Sequence, residues 1–212
     1  MNYKKLDIES LPCSLKEELL LEFHATIKEQ TPFVNYRQLY ENKNKNSIGY
    51  IENTSAYEKQ LGGECAFIKF YVVKKQLLDK LKNFYRDKNE FLANCGYCFQ
   101  LVSGNHYMSP HIDPPTHRTE SVIYVLSPGD SPAVTTWYKP KKEFSHLEVT
   151  HSVCIPFDRL EVIEEITAGP DSWYWYNVSV PHSVTNLSGN RMFLHAYNPF
   201  GLYGKTTEIR RT

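Results

Sequence analysis

The apolar positions of this chain change period partway along it. Leu15, Leu19, Phe23 and Ile27 recur at a four-residue step, which gathers them on one face of a helix. Ser14 stands ahead of the run as an N-cap, and Glu17, three residues on, completes a capping box. A second amphipathic helix is expected from about Lys75 to Ala93, with Leu77, Leu81, Phe84 and Tyr85 on its buried side. Between the two, residues 30–63 are polar, rich in Asn, Lys and Tyr, and end in Gly62-Gly63; they read as loop with short pieces of structure. Ala66 to Val73 reads as a strand.

From Cys95 onward the texture shifts to short β-like runs punctuated by Gly, Pro and Ser. The expected strands are Tyr97–Val102, His106–Ile112, Ser121–Leu126, Thr135–Tyr138, Glu148–Ile155, Leu160–Ile166, Trp173–Val178, Ser183–Leu187 and Met192–Tyr197. Such spacing predicts a mostly β fold, a barrel or sandwich, with the N-terminal helices packed against one sheet. The aromatic content of 14%, with 15 tyrosines, agrees with half-buried sheet surfaces. A chain of 212 residues is most economically one domain, 1–212, with a helical support region over 1–94 and a β-barrel core over 95–200.

Charge narrows the picture by what it withholds. The 24 basic and 24 acidic side chains cancel, so no bulk field favours nucleic acid or an anionic membrane. The N-terminal residues lack a signal-peptide run, and no apolar stretch approaches a membrane span. Five scattered cysteines (Cys13, Cys65, Cys95, Cys98 and Cys154) suggest reduced thiols and a cytoplasmic setting. The sequons at Asn53, Asn177 and Asn186 carry little meaning without a secretion signal.

The chemistry sits in the β-rich part. His111 and Asp113 are two apart, so on an extended chain they point to one face and can grip one ion, while Ile112 points away. Pro114 and Pro115 follow and stiffen the exit. His182, after Pro181, begins an alternating run and supplies a third ligand from a neighbouring strand. Two imidazoles and a carboxylate form the facial triad of non-heme iron sites, which leaves coordination positions open. Nine residues beyond His182, Arg191 opens an apolar strand and offers a fixed cation for a carboxylate.

On these residues the chain resembles the Fe(II)/2-oxoglutarate-dependent dioxygenases, in particular their prolyl 4-hydroxylase-like branch. The segments that carry the likeness are Tyr107 to Asp113, Ser121 to Leu126, Ala168 to Trp173, Pro181 to Asn186, and Ser188 to Leu194, within about residues 96–198. The resemblance implies a double-stranded β-helix (jelly-roll, cupin-like) barrel. It implies that His111, Asp113 and His182 ligate Fe(II) and that Arg191 pairs with the distal carboxylate of 2-oxoglutarate. Ascorbate is implied as an accessory reductant. Asp113 points to hydroxylation rather than halogenation, since halogenating members lack that carboxylate. Tyr124, or in a shifted register the face of Val125, is expected to touch the cosubstrate, and Tyr107 is a second such candidate. A one-residue slip would flip either side chain. The substrate class implied is a protein or peptide residue, prolyl first, or an amino acid or other small molecule, oxidised with dioxygen.

Two other functions fit parts of the pattern: a cupin-like metalloenzyme without 2-oxoglutarate, and a non-catalytic binding module on the same fold. Arg191 argues against the first, because a buried guanidinium with no anion to meet is costly. The intact triad argues against the second. Trp137 is a candidate pocket wall, and Ser183 or Thr185 a candidate cosubstrate contact; His195 is expected to make a structural hydrogen bond. Cys95 and Cys98 lack the second ligand pair of a zinc site and read as buried thiols beside a strand. His146, His151, the Lys139–Lys142 cluster and Arg210-Arg211 read as surface. The loops 30–63 and 139–160 are expected to frame the mouth.

Overall fold

The computed structural model describes residues 1–37, 44–53, 67–103, 106–113, 120–149 and 154–197. Helix α1 (Cys13–Glu29) starts two residues earlier than its capping box suggests, because Pro12 rather than Ser14 is the N-cap. Proline has no N–H to leave unsatisfied there, and its carbonyl accepts the Lys16 N–H at 3.0 Å. Leu15, Leu19 and Phe23 are buried as the pattern required, but Thr26 replaces Ile27 in the fully buried row. Each four-residue step overshoots a helical turn by ~40°, so by the third step the residue one position back lies closer to the face centre.

The expected second helix is two. Helix α2 (Lys75–Tyr85) buries Leu77, Leu81 and Tyr85, leaving Phe84 only partly covered, and α3 spans Glu90–Asn94. The break is chemical: the Asn89 side chain accepts the Leu92 N–H at 3.0 Å and starts a new helix.

Among the described residues the strands are β1 (Tyr3–Lys5), β2 (Val34–Arg37), β3 (Phe67–Val72), β4 (Gly96–Ser103), β5 (His106–His111), β6 (Glu120–Ser127), β7 (Val134–Pro140), β8 (Leu160–Thr167), β9 (Trp173–Asn177), β10 (His182–Leu187) and β11 (Arg191–Tyr197). They form an antiparallel seven-stranded sheet, order β1-β9-β6-β11-β4-β3-β2, and a four-stranded sheet, order β5-β10-β7-β8. From β4 onward the chain passes back and forth between the sheets, the winding of a double-stranded β-helix. β1 and β2 are short edge strands that the apolar pattern does not predict. The N-terminal region therefore adds strands to the large sheet as well as helices to its face. Of the expected strand Glu148–Ile155, the described residues show an isolated bridge between Glu148 and Ser47, and residues 150–153 lie outside the described part.

Alternation along each strand divides the core in two. The large sheet sends Phe99, Leu101, Val122, Tyr124, Trp173, Trp175 and Leu194 toward the helices. Its opposite face sends Val102, Ile123, Val125, Tyr174, Tyr176 and Phe193 toward the four-stranded sheet, which answers with Met108, Trp137 and Val184. Residues 38–43, 54–63 and 150–153 of the loops expected to frame the mouth lie outside the described part. Among the described residues of these loops, Ile48, Ile51, Phe144, Leu147, Ile155 and Phe157 cover the outer face of the small sheet around Tyr107 and Tyr138. Among the described residues, no helix is long and apolar enough to cross a membrane.

Candidate metal centre

Strands β5 and β10 run antiparallel with His111 directly opposite His182, and the imidazole centroids are 4.4 Å apart. Each histidine follows a proline, Pro110 or Pro181. Residues before proline are held extended, and the carbonyl of that residue is what each ring uses. His111 Nδ1 lies 2.8 Å from the Ser109 carbonyl, and His182 Nδ1 lies 2.9 Å from that of Val180. A carbonyl can only accept, so each Nδ1 carries the proton and each Nε2 keeps its lone pair for a metal.

Asp113 leaves the end of β5 with its N–H donated to the Val178 carbonyl at 3.1 Å. Its Oδ1 sits 3.4 Å from His111 Nε2. One donor atom from each of His111, Asp113 and His182 lies within 4.8 Å of the others. Ion–ligand distances of ~2.0–2.2 Å require donor separations of roughly 3 Å, so small rotations close the set around a divalent ion. The donor set, two neutral nitrogens and one carboxylate, fits the facial arrangement of non-heme iron.

Arg191 begins β11 and is 3% exposed, with its guanidinium carbon 4.9 Å from the Phe193 ring centroid. Its Nε has no hydrogen-bond partner, and among the described residues no carboxylate pairs with it. Burial pushes the guanidinium below its ordinary pKa, with Tyr176 opposing.

Two linked turns hold the arginine in place. Asp130 N–H donates to Ser188 O at 3.0 Å, Ser131 Oγ to Asn186 O at 2.6 Å, and Asn186 Nδ2 to Pro132 O at 2.9 Å. Gly129, at φ +86°, sits where a Cβ would lie 2.6 Å from Ser188 O and 3.1 Å from Arg191 Cγ. Gly129→Ala is therefore expected to cost about 1–3 kcal/mol, read as a lower urea midpoint. An unchanged midpoint would mean the turn yields without cost.

Both tyrosines proposed to touch a cosubstrate point away from this interior. Tyr124 belongs to the helix-side cluster, 5.3 Å from Trp173 between centroids, with its hydroxyl toward Asp171. Ile123 and Val125 occupy the inner face of β6. Tyr107 lies four residues before His111, and strict alternation would put both on one face. The register of β5 against β10 shifts between the His182↔His111 and Val184↔Met108 pairs, which flips the parity. Met108 consequently points inward, and Tyr107 packs outside on Phe157 and Cys154.

The remaining candidates divide cleanly. Trp137, fully buried opposite His182, lines the interior and donates its indole N–H to Asn177 O at 2.8 Å. Ser183 faces outward, bonded to the Tyr138 hydroxyl at 2.8 Å, and Thr185 shares that outer face. His195 makes structural contacts, 3.3 Å to Ser121 Oγ and 3.8 Å to Cys98 Sγ. Cys95 and Cys98 are buried free thiols. Lys139 pairs with Glu161 at 3.2 Å, and Lys141 donates to Asp158 O. His146 is exposed; His151 and Arg210-Arg211 lie outside the described residues. Sequence reasoning missed Tyr176 and Thr135, which also face this interior.

No protein-family model and no curated protein matches the chain by sequence. Its fold does have solved counterparts. The epimerase SnoN, in complex with Fe3+, alpha ketoglutarate and nogalamycin RO, matches at TM-score 0.50 and 12% identity, over 94% of this chain and 82% of that one. The alpha-ketoglutarate-dependent carbocyclase SnoK matches at TM-score 0.48 and 6% identity, over 100% and 86%. A Pseudomonas putida prolyl-4-hydroxylase matches at TM-score 0.45 and 13% identity, over 93% and 92%. At 12% identity, what SnoN shares with this chain is the double-stranded β-helix fold alone.

Proposed function

We propose that this chain is a non-heme Fe(II)- and 2-oxoglutarate-dependent dioxygenase that hydroxylates an unactivated C–H bond. His111, Asp113 and His182 would hold the iron, and Arg191 would receive the distal carboxylate of 2-oxoglutarate. When bound, the two supply an oxidation by dioxygen coupled to decarboxylation of 2-oxoglutarate to succinate and carbon dioxide. The chain's own contribution is positional and electrostatic. Two imidazoles arrive with their tautomers already set by main-chain carbonyls, and Asp113 adds one negative charge. Trp137, Tyr174 and Tyr176 wall the interior and exclude water.

The observation that carries this reading is Arg191. A guanidinium 3% exposed, with no carboxylate partner among the described residues, lies on the inter-sheet face that the triad shares. An unpaired buried cation is costly, and an anionic cosubstrate removes that cost. For substrate we take the class implied by the motif resemblance, a protein or peptide residue with prolyl first, or an amino acid. The four described cysteines are free thiols, in keeping with a cytoplasmic enzyme, and we treat the chain as one catalytic domain.

The test is an anaerobic titration of apo-protein with Fe(II) and then 2-oxoglutarate, following the visible charge-transfer band of the chelate. We expect the band in wild type and roughly 100-fold weaker 2-oxoglutarate binding in Arg191→Ala, as for loss of one partner of a buried charge pair. Iron binding without a band would remove 2-oxoglutarate from the reading. No iron binding would remove the triad.

A further inference from the structure

The seven-stranded sheet is wider than the sheet it faces. Two contacts align one side of the pair. The Asn2 N–H, at the head of β1, donates to Glu164 Oε2 on β8 at 2.7 Å, and Trp137 of β7 packs on Tyr176 of β9, 5.4 Å between centroids. Counted from that side, the four strands of the small sheet are used up by β11. Among the described residues no strand is left to stand opposite β4, β3 and β2. The inner positions of β3 record the change: Ile68 is 8% exposed, Phe70 partly buried and Val72 59% exposed. The last strand of the small sheet is β5, which carries His111, so this stretch borders the His–Asp–His cluster.

Gln100 stands on that inner face. It alternates along β4 with the inward Val102 and pairs directly with Phe193 on one side and Phe70 on the other. Only 9% of the residue is exposed, yet its carboxamide makes no hydrogen bond among the described residues. Its polar neighbours one row along are engaged: His195 lies 3.8 Å from Cys98 Sγ and 3.3 Å from Ser121 Oγ. Unlike Arg191 Nε, the amide atoms of Gln100 are not sealed from solvent. A buried amide without partners carries a desolvation cost, and interiors seldom leave one so. With phenyl side chains flanking it in the row, its partner must arrive from the space in front of the sheet.

The carboxamide specifies what that partner is. It offers an acceptor oxygen and N–H donors together. The carboxylates of 2-oxoglutarate present acceptors alone, whereas a peptide group presents both an N–H and a C=O. We propose that Gln100 reads the substrate, its carboxamide hydrogen-bonding an amide group of a peptide laid along the inner face of β4 and β3. This rests on the oxygenase reading above and narrows it, from a peptide residue or an amino acid to a peptide. Gln100 is then a specificity-determining residue, one strand away from the strand that carries Arg191.

The experiment titrates two probes into isotope-labelled apo-protein, wild type and Gln100→Met. N-acetylprolinamide ends in a group with both N–H and C=O; N-acetylproline methyl ester keeps the C=O and lacks the N–H. Nuclear magnetic resonance reads the affinities and the side-chain amide signal of Gln100, and melting curves report the fold. We expect N-acetylprolinamide to shift that signal and to bind wild type about tenfold more tightly than the variant. The ester should bind both proteins alike. Equal weakening of both probes in Gln100→Met would show that the side chain serves packing alone and overturn the proposal. A wild type that binds neither probe, or binds the amide without moving the Gln100 signal, would overturn it too, even if the variant failed to fold. Neither arm uses iron or 2-oxoglutarate. An absent charge-transfer band in the titration above would therefore fail the cosubstrate reading separately, while amide binding that depends on Gln100 would uphold the peptide site.

Discussion

His182→Ala is expected to lower Fe(II) affinity more than about 100-fold and to abolish any iron-dependent turnover, with the fold retained. Loss of a group that merely orients a ligand costs 10–100-fold, so loss of the ligand itself should exceed that. The fold should survive because β10 is held by strands on both sides. It pairs with β5 and β7, and neither register depends on the imidazole. The truncation also frees the Val180 carbonyl, which can turn to water. Isothermal titration of Fe(II) into apo-protein, with circular dichroism alongside, reads both halves. His111→Ala and Asp113→Ala should behave alike, since each supplies one donor to the same cluster. Wild-type iron affinity in any of the three would mean that the metal, if bound, sits elsewhere.

Trp173→Ala is expected to be the most damaging single change to the fold, costing about 3–5 kcal/mol. Trp173 is fully buried where β9 meets the helices, with Tyr124, Tyr85 and Tyr97 at 5.3, 6.0 and 6.3 Å between ring centroids. Its indole N–H donates to the Tyr85 hydroxyl at 2.7 Å. Tyr85 in turn donates to Glu9 O at 3.2 Å, so one ring ties the large sheet to α2 and to the N-terminal segment. For a domain of this size the loss corresponds to a fall in Tm of roughly 10 °C. Trp173→Phe, which keeps most of the packing, should cost about 1–2 kcal/mol. A Tm within about 2 °C of wild type for the alanine variant would show that the helix layer is not anchored through this ring.

The elements that announced themselves were those with a clean period. Strands β4 to β11 carry alternating or continuous apolar runs bounded by Gly, Pro and Ser, and each lies within a residue or two of its expectation. β1 and β2 have three and four residues, too few for a period to register. The break between α2 and α3 turns on one asparagine side chain, which apolar spacing does not weigh.

For the candidate site, the spacing of His111, Asp113, His182 and Arg191 was legible because it needs only residue identity and strand placement. Faces were harder to assign. Tyr124 and Tyr107 each depended on a parity that one residue reverses, and a register shift did so in β5. The carbonyls that fix the histidine tautomers leave no mark in a sequence, since every residue has one. Tyr176 did leave a mark: the tryptophan–tyrosine alternation of β9 separates two faces and puts this ring on the inner one.

The two sheets divide the work. His111 and His182 stand on the four-stranded sheet, with Asp113 at its edge, while Arg191 starts a strand of the seven-stranded one. The span from the His–Asp–His cluster to the guanidinium is thus a distance between layers, set by how closely two sheets pack, ~10 Å in general. Met108, Val184, Val125 and Phe193 fill that gap. The sandwich acts as a calliper. On the function proposed above, its hydrophobic filling would set the length of diacid able to bridge the jaws, so that core packing would select chain length.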